Sequence, residues 1–357
     1  LKTGEKMQLL PNAAREGAGW GRATTRIDGR VYVYGNGKLY WRVDGLELEP
    51  VKKLPGRPYY QLEDGTRLLA SEDSGREGVY WAATPDGKRR EVCFSYQCSG
   101  TRLWDVFDGP DGRIYGNTHT PITLFAFDPA TGKIEVLGDP VGHAGQVYYS
   151  LWHEGKLHMA AYSDCTYTVW DPQKPWNFGT ESESNPRRIG STSGHVQRAG
   201  CMLSLPDGEH ILVGGKPRYG RLGGGLAMMQ LETGEIEVIE KPVGNQSPWS
   251  LATTPDPNVI AIGTSLHGGS GTKPVDHVAK LVFWNWRQRE EVSRLAPWKD
   301  ETVIGSLVRL EDKLLLCGEP RGKLAVYDFV QRRVIRNADY GYGAGRLRLR
   351  EADGNVY

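Results

Sequence analysis

The sequence predicts an all-β fold, a β-propeller of four-stranded antiparallel blades, eight by repeat count. Three observations lead there. A loop ending in Arg, Gln or Thr recurs eight times, at intervals of roughly 35 to 56 residues, each time just before an apolar run and a Gly-containing turn. Between these loops, short runs rich in Val, Ile, Leu, Tyr, Phe and Trp are separated by tight-turn residues, as antiparallel strands are. No segment carries the sustained 3.6-residue apolar period that a crossover helix needs, which disfavours a βαβ fold.

The unit is clearest from Leu103 onward. LWDVF, RIYGN, LFAFD and KIEVLG read as strands a to d, joined by the turns PDG, NTHTP and DPATGK. The order returns from Asp28, Glu154, Pro206, Asn258 and Glu311. The c strand alternates in LFAFD, YTVWD, LVFWN and LAVYD, so each presents an apolar face to a neighbouring sheet. The a strands are expected to begin near Ala23, Pro58, Leu103, Val147, Ala199, Ser247, Val303 and Leu347. One such sheet cannot stabilise itself, whereas several packed radially bury one another's faces.

The whole chain, 1–357, is read as one propeller domain. Residues 1–18 resemble an outer strand without a blade of its own, 19–346 supply seven full blades, and 347–357 supply the inner strands of the blade that closes the ring. The c strand of that last blade is lacking, which suggests a fragment of a longer protein. A ring of seven blades with a poorly formed terminal segment is the alternative.

Composition allows a single all-β ring of this length. Forty-six glycines suit many turns, and eleven tryptophans suit flat packing between sheets. A net charge of +1 makes no demand for nucleic acid, so any electrostatic preference is local. The sequence has neither a membrane-spanning apolar stretch nor a signal-peptide pattern. It begins with Leu1, which leaves room for a leader, and a secreted or periplasmic location is expected. Cys93, Cys98, Cys165, Cys201 and Cys317 fit no disulfide framework and no zinc spacing.

In a propeller the loops from d to the next a, and from b to c, surround one mouth of the central channel, where a rigid scaffold presents binding groups. The residues ending the d-to-a loops are Arg22, Arg57, Arg102, Gln146, Arg198, Gln246, Thr302 and Arg346. Those loops also carry His143 and His195. The b-to-c loops carry His119, the run Lys216, Arg218, Tyr219, Arg221, and His267. The face is cationic and rich in His. Arg matches a carboxylate bidentately, and aromatic rings can stack on sugars, so the expected ligand is an acidic oligosaccharide or polysaccharide.

The segment DGRIYGNTHTPITLFAFDPATGKIEVLG resembles the repeat of kelch-like, quinoprotein-like and streptogramin-lyase-like propellers, in which DG opens strand b and DPxTGK joins c to d. This resemblance spans almost the whole chain and implies the fold. In a weaker sense the chain is similar to the propeller polysaccharide lyases that act on uronate-containing glycans with His or Tyr beside Arg. No lyase motif matches residue by residue, so no role is carried over.

The chemistry expected is a lyase β-elimination, in which neutralising the uronate carboxylate is the central requirement. His143, His195 and Tyr219 are the candidates for proton transfer. Tyr219 stands between Arg218 and Arg221 in sequence, which favours a lowered pKa. Arg22, Arg102, His119, Gln146, Arg198, Arg218, Arg221, Gln246, His267 and Arg346 are the candidates for binding substrate.

Competing readings weigh against each assignment. An Arg ending a d-to-a loop can serve only to bond carbonyls of the next blade, a His can be a packing residue, and KPRYGRLGGG can be a mere turn. The tryptophans are expected between blades, with Trp20 or Trp249 available for stacking. No organic cofactor is called for. A divalent metal is an open alternative, held where His119, His143, His195 and His267 converge from successive blades. Two other functions stand beside the lyase: a non-catalytic propeller that recognises a glycan or a protein, as an appendage of a larger enzyme, and a small-molecule lyase like the streptogramin group.

Overall fold

The computed structural model describes residues 27, 30–34, 40–44, 47–55, 60–61, 64–69, 79–93, 101–310, 312–341, 347, 349–350 and 355–356. The chain divides into two compact units, Leu1–Ser99 and Gly100–Tyr357. Among the described residues every regular element is a strand, and every strand pairing is antiparallel apart from one isolated bridge.

The first unit contains a three-stranded sheet, Val31–Tyr34, Tyr40–Asp44 and Glu47–Val51, and a four-stranded one, Tyr60–Gln61, Arg67–Leu69, Val79–Ala83 and Arg89–Cys93. The expected outer strand at 1–18 lies outside the described residues, as do Arg22, Arg57, Trp20 and Cys98.

The second unit contains five consecutive four-stranded meanders, over 102–138, 146–190, 198–240, 247–295 and 306–339, and a two-stranded pairing of Leu349–Arg350 with Asn355–Val356. The five first strands are Arg102–Asp108, Gln146–His153, Arg198–Ser204, Ser247–Thr253 and Ser306–Leu310. Each of the first four packs against the first strand of the next sheet. The last begins at Ser306, three residues later than expected. Val303 instead bridges to Ser265, and the Ile304 N–H donates to the Thr264 carbonyl at 2.9 Å, so those residues belong to the preceding sheet's edge.

Alternation along the second strands explains why the sheets stack. In Lys156–Tyr162, Leu157, Met159 and Ala161 join Tyr115, Leu124 and Trp170 in one core, while Ala160 joins Tyr167, Ala199 and Ile211 in the next. In His210–Lys216 the alternation repeats, with Ile211 and Val213 on one side and Leu212 on the other. Each inner sheet is therefore buried on both faces, and its period of two feeds two different cores. Truncating a fully buried member such as Leu157 or Leu212 to Ala costs about 2–5 kcal/mol.

Candidate functional site

The chain ends of the first two strands coincide in register, sheet after sheet. Arg102 pairs with His119, Gln146 with Tyr162, Arg198 with Lys216 and Ser247 with Ser265. These pairs set one level of the second unit. Two residues further along the first strand, the same irregularity recurs. Leu103 and Asp105 pair with consecutive residues, Thr118 and Asn117, which leaves Trp104 without a ladder partner. The shift repeats at Val147/Tyr149, Ala199/Cys201 and Pro248/Ser250, and so isolates Tyr148, Gly200 and Trp249.

Each shift is a β-bulge, which frees one residue from the pleat and re-aims its side chain. The four bulged residues line one cavity of about 210 Å³, together with residues of the fifth first strand and Leu347. The second strand yields at this level because its residues are small. A β-carbon on Gly215 would collide with the Arg198 carbonyl, so only glycine lets the two backbones approach.

At the lip of this cavity Arg198 gathers three tyrosines. Its Nη2 donates to the Tyr219 hydroxyl at 2.8 Å, and the Tyr162 hydroxyl lies 3.1 Å from the same oxygen. The guanidinium sits 4.8 Å from the Tyr162 ring centroid and 5.0 Å from that of Tyr219. Tyr148 completes the group, at 6.3 Å from Tyr162, and bonds to the same Arg198. Across the strand pair, the Lys216 ammonium stands 4.4 Å from the Trp249 ring centroid. Burial, and then the Arg198 charge, pull the Lys216 pKa below its usual value.

The two phenols of this group are driven apart. Tyr219 is lowered by the hydrogen bond from Tyr162 and then by that from Arg198, both of which favour its anion. Tyr162 is raised, first because it donates to Tyr219 and then by burial. The sequence argument placed the lowering of Tyr219 on Arg218 and Arg221; Arg198 and Tyr162 supply it instead. Arg218 turns away, donating to the Ser193 carbonyl at 2.9 Å with Asp164 3.8 Å off.

The loop that carries Tyr219 is pinned by backbone bonds. The Gly220 N–H donates to the Ser270 carbonyl at 3.0 Å, and the Gly269 N–H to the Arg221 carbonyl at 2.9 Å. The 217–224 loop therefore leans on the loop of the following sheet.

The other candidates fall elsewhere. His143 Nε2 is 2.9 Å from Thr166 Oγ1, and its Nδ1 is 3.0 Å from the Ala144 carbonyl, so both ring nitrogens serve the chain's own loops. His195 lies with Arg221 around a separate small recess, its Nδ1 3.5 Å from a Glu240 carboxylate oxygen. His119 is edge-on to Trp104, 5.2 Å between centroids, and its Nδ1 lies 3.3 Å from Gln146 Nε2. Arg102, its register partner, is exposed. Gln246 is buried and bonds Asp276, the Val278 carbonyl and Thr264, which latches the 266–279 loop. His267 is exposed. Arg346 lies outside the described residues.

Among the described residues, the group of possible metal-binding atoms found together is Asp207, Glu209 and His210, not His119, His143, His195 and His267. Cys165, Cys201 and Cys317 are free and buried.

The chain matches no protein-family model and no curated relative. Among solved structures it is similar to a propeller chain in the crystal structure of a mitotic checkpoint complex, with a TM-score of 0.53 over 83% of this chain and 81% of that one. The chain is an all-β propeller. At 15% identity the likeness carries the fold and nothing of the other protein's role. The bulged aromatics Trp104, Tyr148 and Trp249 thus face the cavity enclosed by the blades' first strands. Sequence reasoning put Trp104 between blades and overlooked Tyr148 and Tyr162. The available signal was an aromatic two residues into the first strand, in RLW, QVY and SPW.

Proposed function

We propose that this mouth binds the carboxylate of an acidic, uronate-containing oligosaccharide and cleaves it by β-elimination. The observation that carries the reading is the shared contact of Arg198 and Tyr162 with the Tyr219 oxygen. Two phenols whose environments push their pKa values apart suit an acid and base pair. Tyr219, as tyrosinate, takes the proton from the carbon bearing the carboxylate. The C–H electron pair becomes a double bond to the next ring carbon, and the glycosidic C–O bond at that carbon breaks. The departing oxygen takes the proton of Tyr162. Arg198 and Lys216 hold the carboxylate and the negative charge that builds on it.

In this reading the proton-transfer role passes from His143 and His195 to Tyr162 beside Tyr219. Arg198 remains the principal anion ligand. The test is incubation with a panel of uronate polysaccharides, followed by ultraviolet absorbance of the unsaturated product. Absorbance that grows with wild-type protein and is lost in Tyr219→Phe is expected. Saturable binding with no unsaturated product from any member of the panel would overturn catalysis and favour a glycan-binding propeller.

A further inference from the structure

The glycine run Gly223, Gly224 and Gly225 ties three loops of the 198–240 sheet together. The Gly223 N–H donates to the Asn245 carbonyl at 3.0 Å, that of Gly224 to the Gln246 carbonyl at 3.3 Å, and that of Gly225 to the His195 carbonyl at 3.1 Å. The Arg218 N–H adds a bond to the Gly194 carbonyl at 3.0 Å. Gly223 has a φ of +75°, and a β-carbon there would collide with the Gly244 carbonyl and stand 2.9 Å from Lys241 Cγ. The Lys241 stem therefore lies along this glycine, and backbone bonds fix the loop of Arg221 against that of Lys241.

Together these loops form a recess of about 30 Å³, whose polar lining is Arg221, Lys241, His195 and Glu240. That volume takes a water or one oxygen group of a ligand, not a sugar ring. Arg221 and Lys241 are exposed, so an incoming ligand can reach both cations. Among the described residues no carboxylate lies within ion-pair distance of either. Glu240, the recess's single carboxylate, is turned toward His195, its oxygen 3.5 Å from Nδ1. Two cations thus face one carboxylate that is already engaged, and the unbalanced positive charge selects an anionic oxygen. The recess also adjoins the mouth. Pro217 in its wall follows Lys216, and Arg221 is two residues from Tyr219, a span of at most about 7 Å along the chain.

We infer that this recess is a second anion subsite, which takes a further acidic group of the same oligosaccharide whose carboxylate Arg198 holds. The ligand is then a polyanion engaged at two points, rather than a chain with one acidic sugar. The inference rests on the reading of the mouth as a carboxylate site, but not on cleavage there. Because the second contact forms within one complex, it raises affinity as the chain lengthens.

The test is calorimetry with the full chain carrying Tyr219→Phe, so that no fragment is consumed. The probes are fragments of galacturonan, mannuronan and hyaluronan, each with one carboxylate and with three. For at least one polymer the longer fragment is expected to bind about tenfold or more tighter than the shorter. Arg221→Gln with Lys241→Gln is expected to abolish that advantage and leave the shorter fragment's affinity unchanged, whereas Arg221→Lys with Lys241→Arg keeps it. A length advantage that survives neutralisation, or no advantage at all, overturns the second subsite and leaves the mouth reading standing. Arg198→Ala that leaves the shorter fragment's affinity unchanged, or no binding of any fragment, overturns both.

Discussion

Gly200 lies so close to the indole of Trp249 that a β-carbon built on it would stand 2.5 Å from the ring. The ring carries the Lys216 ammonium, so backbone, aromatic and cation form one stack. Gly200→Ala is expected to displace Trp249, with a cost of about 1–3 kcal/mol from overpacking. Urea unfolding followed by tryptophan fluorescence measures the cost, and weaker uronate oligosaccharide binding at unchanged secondary structure would tie the stack to the mouth.

Tyr219→Phe is expected to lower turnover of a uronate substrate at least about a hundredfold, within the range of a lost general base, with binding little changed. Arg198→Ala removes both the carboxylate ligand and the donor to Tyr219, so it is expected to weaken binding as well. Equal effects on binding from Arg198→Ala and Arg102→Ala, measured by calorimetry, would count against a localised site.

Because the base must lose its proton, turnover is expected to rise with pH up to an apparent value below the ordinary tyrosine pKa of 10.0. The donated bonds from Tyr162 and Arg198 lower that value, so Tyr162→Phe is expected to move the rising limb to higher pH. A limb that stays in place in this variant would assign it to another group.

Burial holds the His158 pKa down at about 3, so this ring stays neutral in the folded protein. In the unfolded chain it protonates near 6.5, and the native state refuses that proton. Its contribution to stability is whole above that pH, falls as pH drops through the interval, and levels off near the folded value. The slope is at most about 1.4 kcal/mol per pH unit. His158→Gln, which keeps an acceptor for Tyr167, is expected to flatten the dependence in denaturant titrations between neutral and mildly acid pH.

Strand order, turn positions and the level of Arg102, Gln146 and Arg198 were legible because they follow from period-two alternation and turn chemistry. The start of the fifth first strand was not, because Val303 and Ile304 bond to a neighbouring sheet rather than to their own. At the mouth, Arg198 and Tyr219 could be named, but their contact joins residues 21 positions apart, and Tyr162 is 57 from Tyr219. Such pairings depend on how loops fold back, which local sequence does not encode. The placement of His143 against Thr166 is of the same kind.

The bulges at Trp104, Tyr148 and Trp249 have a consequence for how such a protein diversifies. A residue that pairs with nothing in the ladder can be exchanged without altering strand register, so these positions act as interchangeable teeth on a fixed wheel. Selectivity for a new ligand can then change one tooth at a time while the frame that holds them keeps its shape.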